Sequence, residues 1–370
     1  MSTSTVAEVA RWLDAFAPLS LAESWDNVGL LWGDPATEVS RVMTCLTVTP
    51  RTAREAIDNR AELIVSHHPV LFRPVKRVRA DDRETGMLWD LARAGVSIAS
   101  PHTAFDNTQG GINDGLAGRL GLLDVGPLRP SPASATFKIV VFAPRESCDS
   151  ILSAAFAAGA GKIGAYDECS FTSAGQGTFF GTEGSQPTVG QSGRRETVRE
   201  RRIELVCPSA ELTAVLGVIR SVHPYEEPAT DVYPLHPGES GQGAGRVGRL
   251  VSATTLGKFA EWIGQTLAAP GVQFVGPADR RVERVAIVCG AGDDFIGDAV
   301  RCRADVLLTG EARYHRTLEA ESVGIGLVVA GHHATERPGV EDLAIRIAAA
   351  FPALEVWPSR QETDPIRTID

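Results

Sequence analysis

Short apolar runs recur through both ends of this chain and stop abruptly at polar residues: "AELIVS" over 61–66, "VSIAS" over 96–100, "ADVLLTGE" over 304–311 and "GLVVAG" over 326–331. Each is too short for a buried helix and apolar on consecutive positions, so both faces of the strand it forms must be covered. Helical segments lie between them. "RVMTCLTVT" leads through Thr49-Pro50, a cap and first turn, into "RTAREAIDNR", and "RETGMLWDLARAG" reads as a helix closed by Gly95. This β-α-β rhythm predicts an α/β fold with a largely parallel or mixed sheet and helices on its faces, three layers in all.

The rhythm breaks in the middle third. "GPLRPSPASAT" (126–136) and "HPGESGQGAG" (236–245) read as linkers. Between them "FKIVVFAP", "SILSAAFAAGA", "RIELVCP", "AELTAVLGVIRSV" and "TDVYPL", with a Gly-rich hairpin and mobile tip near 172–193 in the middle, suggest β-α-β-β…β-α-β, the rhythm of a small ferredoxin-like unit. After the second linker the parallel rhythm resumes, and Val340, Leu343, Ala344, Ile347, Ala348 and Phe351 form the apolar stripe of a last helix opened by Pro338. The expected organisation is a discontinuous domain, 1–126 with 245–370, interrupted by an insert at 127–244.

Composition narrows the function. With 36 Lys and Arg against 46 Asp and Glu, the formal charge is -10, which argues against nucleic acid as a partner. The basic residues at Arg194-Arg195 and Arg199–Arg202 fit a solvated strand or loop better than a phosphate patch. No run reaches membrane-span length, and the start has no basic block followed by an apolar one. Val6, Val9, Ala10, Leu13 and Phe16 instead mark an amphipathic helix. The six cysteines form no C-x-x-C pair and read as reduced core thiols of a cytoplasmic protein. "GAGRVG" (243–248) matches a dinucleotide fingerprint only in letters, because it follows a linker and precedes a strand.

The chemistry gathers at strand ends. Three runs open into His67-His68, into His102 and Asp106, and into His332-His333 with Glu336, while the chain has only eight histidines. In open α/β sheets, ligands bind beyond the carboxyl ends of strands. Adjacent imidazoles diverge, so a tandem pair suits two neighbouring ions better than one, and a carboxylate can bridge them. Two metals about 3.5–4 Å apart can share and ionise a water. Glu311 and His315, four apart after another strand, are expected to act as acid/base groups or as outer partners of ligands. His223 and His236, in or beside the insert, read as structural.

"AESWDNVGLL", "VSHHPVLF", "HTAFDN", "GRVG", "TGEARYH" and "GHHATE" occur in that order. Together they resemble the dinuclear metal-centre hexameric family, the GTP cyclohydrolase I type 2 homologs. The insert, with "VHPYEEPATDVYPL", is similar to that of the family's long members and to PII- and CutA-like folds. The resemblance implies five ligands, His67, His68, Asp106, His332 and Glu336, for two divalent ions (Zn, Fe, Mn, Co or Ni). Glu336 would bridge, His68 and Asp106 would hold one ion, and His67 and His332 the other. His333 would not ligate, and Asp26 and Asn27 would line the cleft with Glu311 and His315. It further implies a homohexamer, a dimer of trimers, and a small-molecule substrate, a nucleotide among the candidates. Two functions stay open: a metal-dependent hydrolase, with GTP ring opening as the reaction the family label implies, or a non-enzymatic metal-binding or regulatory protein with a ligand-sensing insert.

Overall fold

The structure, a computed structural model, describes residues 4–82, 85–132, 135–236 and 239–368. Where the readings above touch 1–3, 83–84, 133–134, 237–238 or 369–370, they lie outside the described residues. The chain divides into two compact units, with breaks between Ser131 and Pro132 and between Glu239 and Ser240.

In the discontinuous unit the apolar runs are strands. Arg41–Cys45, Leu63–Ser66 and Ser97–Ser100 pair in parallel, with Glu355–Pro358 parallel at one edge and Gly29–Trp32 antiparallel at the other. The helices between them begin and end where local chemistry dictates. Thr49 caps Pro50–Asp58, and Gly95 closes Gly86–Ala94 at φ 72°, a left-handed position glycine takes without strain. Thr5 and Glu8 form a reciprocal capping box on Val6–Phe16, which buries Val6, Val9 and Leu13.

Side chains alternate across the sheet. Val42, Leu63, Val65 and Ala99 face a core shared with Val9, Leu343 and Ile347, while Met43, Cys45, Ile64 and Ile98 face Ala53, Ala56, Leu88 and Leu91. With both faces sealed, every residue of Leu63–Ser66 and Ser97–Ser100 is buried.

A second, six-stranded sheet runs in the order Gln273–Val275, Gly326–Val329, Val306–Thr309, Arg281–Val288, Glu239–Thr255, Leu123–Pro132. The three central strands before Glu239–Thr255 are mutually parallel, and antiparallel neighbours flank them. Val285, Ile287, Val306 and Leu308 pack on Phe259 and Ile263 on one face. Ala286, Val288, Leu307 and Leu327 pack on Ile296, Ala299 and Ala320 on the other. The architecture is therefore mixed α/β, but the parallel strands fall into two sheets rather than the one expected. In each triplet the crossover helices cover one face and helices from elsewhere in the chain cover the other, so each completes its own layers.

Three local expectations are corrected. The stretch read as a linker at 126–136 is largely the strand Leu123–Pro132, which carries Pro127, Pro130 and Pro132. It lies at the sheet's edge, where a proline's missing N–H costs no ladder bond. The stretch at 236–245 enters the strand Glu239–Thr255. There, Cβ atoms at Gly243 and Gly245 would meet the Arg129 carbonyl at 2.2 Å and the Ile287 carbonyl at 2.7 Å, so "GAGRVG" is close backbone packing. The same motif delivers Arg246, 1% exposed, whose guanidinium donates to Asp114 and to the carbonyls of Thr108, Gly243 and Gly245. Finally, Pro338 does not open the last helix. That helix runs from His332 to Ala350 with Pro338 inside it.

The unit between the breaks has one antiparallel sheet, ordered Thr230–Pro234, Thr136–Ala143, Arg195–Pro208, Ser170–Phe180. Helices Cys148–Ala157 and Leu212–Val222 supply Ile151, Ala155, Val215 and Ile219 against Ile139, Val141, Ile203 and Leu205. His223 is structural here: its Nε2 lies 3.1 Å from the Phe142 carbonyl, and its Nδ1 accepts from the Tyr225 N–H. All six cysteines are free, and among the described residues no helix is long and apolar enough to cross a membrane.

Candidate metal centre

Three segments of the discontinuous unit deliver side chains to one place. Leu63–Ser66 runs into His67 and His68, whose N–H groups extend the ladder to the Cys45 and Leu46 carbonyls. Its parallel neighbour Ser97–Ser100 runs through Pro101 into the short helix His102–Asn107, which carries His102 and Asp106. From the other sheet, Gly326–Val329 passes Gly331, at φ 95°, into helix His332–Ala350, which places His332 and Glu336 one turn apart. Two of the three strands are thus neighbours, and the third reaches the site from the second sheet.

Glu336, its side chain 5% exposed, is the hub. Its Oε2 lies 3.0 Å from both His68 Nε2 and His332 Nε2, and its Oε1 lies 3.7 Å from His67 Nε2. His67 Nε2 is also 3.6 Å from Asp106 Oδ1. Ring nitrogens of His67, His68 and His102 lie within 4.8 Å of one another, and so do ligand atoms of His68, His332 and Glu336.

Other groups hold these side chains from behind. Thr47 Oγ1 bonds His68 Nδ1 at 2.8 Å, Glu311 Oε1 bonds His332 Nδ1 at 2.9 Å, and Asp26 bonds His102 Nδ1 at 2.8 Å. Asn113 donates to the Asp106 carbonyl and accepts from the Cys289 N–H, and the Cys289 thiol points at Asp106 Oδ1 from 3.6 Å. Gly290 leaves room for the hub: a Cβ there would sit 2.1 Å from Glu336 Oε1 and 3.2 Å from His332 Nε2.

The electrostatics are those of a crowded, buried cluster. Burial opposes ionisation of Glu336, but the facing His67, His332 and His68 outweigh it and hold the carboxyl well below its usual range. Burial likewise opposes charge on His332, yet the Glu336 and Glu311 carboxylates push it up to about 9. Burial lowers His68 and raises Asp106. Burial also works against charge on Asp26, but hydrogen bonds from His102 and Thr103 bring it down to about 2.

A divalent cation fits this donor set. His67 is fully buried with neither ring nitrogen hydrogen-bonded, and His332 Nε2 and Glu336 Oε2 are buried without a hydrogen bond despite their short approaches. Unpaired buried polar atoms cost about 1–3 kcal/mol each, and here their lone pairs converge. Imidazole and carboxylate ligands of this kind suit borderline divalent ions.

A family model described as Duf34/NIF3 (NGG1p interacting factor 3) matches residues 4–365. The chain belongs to the Duf34/NIF3 family. A curated relative from Halalkalibacterium halodurans, named GTP cyclohydrolase 1 type 2 homolog, is 36% identical over 364 residues, 98% of each chain. A relative of the same name from Bacillus subtilis is 35% identical over 327 residues, 88% of each chain. Among solved structures, a Bacillus cereus protein related to NIF3 matches with TM-score 0.81 at 34% identity, and a Staphylococcus aureus protein with TM-score 0.87 at 28% identity, each covering 100% of both chains.

In this Duf34/NIF3 chain, the expected residues His67, His68, Asp106, His332 and Glu336 lie in one cluster. Glu311 joins it through His332, and Asp26 through His102. Asn27 ties its own loop to the next by donating to the Leu71 carbonyl. His315 is exposed against Tyr314, and among the described residues no hydrogen bond, ion pair or ring contact joins it to the cluster. Sequence reasoning missed Thr47, Asn113, Cys289 and Gly290. Cys289-Gly290 carried a signal all the same, since it follows the apolar run "VAIV" at a strand end.

Proposed function

We propose that this protein binds two divalent metal ions between His67, His68, Asp106, His332 and Glu336, with Glu336 shared between them, and uses them for hydrolysis. The single observation that carries the reading is Glu336: a buried carboxylate with three imidazoles around it and no hydrogen bond on Oε2. Bound there, such ions supply an ionised water at neutral pH and an electrophile for developing negative charge. The chain's own part is to hold the geometry. Glu311 fixes the His332 ring, Thr47 fixes His68, and Cys289 with Asn113 fixes Asp106. Glu311 and His315 are the groups proposed for proton transfer at the rim. Zn, Fe, Mn, Co and Ni all suit the ligands.

The name shared by the relatives suggests GTP, with hydrolytic opening of its ring, as the first substrate to try. Protein prepared without added metal should carry two transition-metal ions per chain by elemental analysis. The loaded protein should turn over GTP or a phosphoester, and Asp106→Ala or Glu336→Ala should abolish turnover with the fold retained. Inactivity across a broad substrate panel would overturn the hydrolase reading in favour of a metal-binding regulatory protein. One observation favours that second reading: the insert lines a half-open cavity of about 520 Å³ beside Phe142, Phe179, Glu200, Arg202 and Tyr225. The insert, proposed to span 127–244, is read as ferredoxin-like and related to CutA because its antiparallel strands, numbered within it, run in the order 4-1-3-2. A homohexamer, a dimer of trimers, is the proposed assembly, and light scattering of the full chain tests it.

A further inference from the structure

Three imidazoles at this centre are prepared in the same way. His68, His332 and His102 each have Nδ1 tied to an outer oxygen, from Thr47, Glu311 and Asp26 respectively. That tie fixes the ring and leaves Nε2 as the free nitrogen, the arrangement found behind metal-bound histidines. Two of the three belong to the ligand set already proposed.

His102 does not. Its ring nonetheless packs edge-on against both His67 and His68, with centroids 5.2 and 5.6 Å away, and a ring nitrogen lies within 4.8 Å of theirs. Its clamp is the most elaborate of the three. Both Asp26 oxygens approach Nδ1, at 2.8 and 2.9 Å, and Thr103 donates to the same carboxylate through its hydroxyl and its N–H. Asp26 is fully buried at its side chain.

The backbone adds a second, independent sign. His102 has φ 28°, in the left-handed region that non-glycine residues avoid. Such a position costs about 1–3 kcal/mol and persists where surrounding structure imposes it.

The geometry points to His102 as a sixth ligand of the metal centre, beside the tandem pair His67 and His68, with Asp26 as its positioning residue. This rests on the dinuclear reading above and extends it: His102 adds a third imidazole to one of the two ions that the tandem pair serves.

The test uses the full chain and Co²⁺, whose visible spectrum reports ligand number and type. His102→Gly is the informative variant, because glycine accepts the positive φ and leaves a hole that free imidazole can fill. The unmodified chain should bind two Co²⁺. His102→Gly should keep its helical circular dichroism, bind one Co²⁺ as before and the other at least about tenfold more weakly, and recover the original spectrum when imidazole is added. Asp26→Asn should weaken the same ion by about 10–100-fold. If His102→Gly binds both ions with unchanged affinity and spectrum, the sixth ligand is overturned while the dinuclear reading stands. Loss of both ions without rescue by imidazole also overturns it, because His102 would then act through the fold. An unmodified chain that binds no Co²⁺ sinks the dinuclear reading, and this inference with it.

Discussion

Gly290, beside the candidate metal centre, and Gly177, in the insert's hairpin, face the same obstacle: a Cβ at either would lie 2.1 Å from a carboxylate oxygen, Glu336 Oε1 in one case and Glu200 Oε2 in the other. The surroundings differ. Gly290 sits at φ 60°, and Glu336 is buried among three imidazoles, with nowhere to go. Gly177 pairs with Val198 at ordinary strand angles, and Glu200 lies on a half-buried strand face. The discontinuous unit seals both faces of its sheets and gathers its buried charge into linked sites. The insert covers its sheet with helices on one side and keeps most charge at the surface. A polar contact should therefore matter far more in the first region than in the second.

The largest contrast is between two arginines. Arg246 is 1% exposed and satisfies Asp114 and three carbonyls at once, whereas Arg202 of the insert, its side chain 41% exposed, pairs with Glu204. Arg246→Ala leaves buried acceptors unpaired and should cost about 3–5 kcal/mol in denaturant unfolding. Arg202→Ala should cost less than about 1 kcal/mol. Equal losses would break the comparison.

Next in size is Gly290→Ala. It forces a side chain into the left-handed region and displaces Glu336, so about 2 kcal/mol of stability should be lost. Metal content should fall with it, even in protein that still unfolds cooperatively. A variant that is destabilised but retains two ions per chain would show that Glu336 can move, and that the centre is less rigid than its burial implies.

The same contrast governs what the sequence revealed. Strands sealed on both faces announce themselves as unbroken apolar runs, so Leu63–Ser66 and Ser97–Ser100, and the histidines that follow them, were legible. The edge strand Leu123–Pro132 was not, because an edge tolerates prolines that elsewhere mark a linker. Pro338 was read as a helix start for the same local reason, whereas the helix already begins at His332, where its side chains are wanted. The five expected ligands could be named from spacing and resemblance. Their supports, Thr47, Asn113 and Cys289, could not, because each reaches its partner across a fold that sequence distance hides.

A smaller effect follows from His332. Its folded pKa of about 9 lies above the ordinary histidine value, so the proton bound between Glu336 and Glu311 stabilises the metal-free protein fully below about pH 6.5. That contribution is lost as pH rises through about 9. A cation must displace the same proton, so apparent metal affinity should rise by about tenfold per pH unit between those limits. Calorimetric titrations at pH 7 in buffers of different ionisation enthalpy should show proton release on metal binding. An unchanged heat across buffers would mean that His332 is already neutral.

The smallest expected effect is the most discriminating. Gly177→Ala creates the same 2.1 Å approach as Gly290→Ala, but against a side chain free to swing away and at a backbone position alanine accepts. Relief of glycine's unfolded-state entropy offsets the adjustment of Glu200, so stability should stay within about 0.5 kcal/mol of the unmodified chain. Metal content should not change. A loss comparable to that at Gly290 would mean that Glu200 is held as firmly as Glu336. The cavity beside it would then be a built polar site rather than a pliable surface, and the division between a rigid centre and a forgiving insert would fail where the two glycines look most alike.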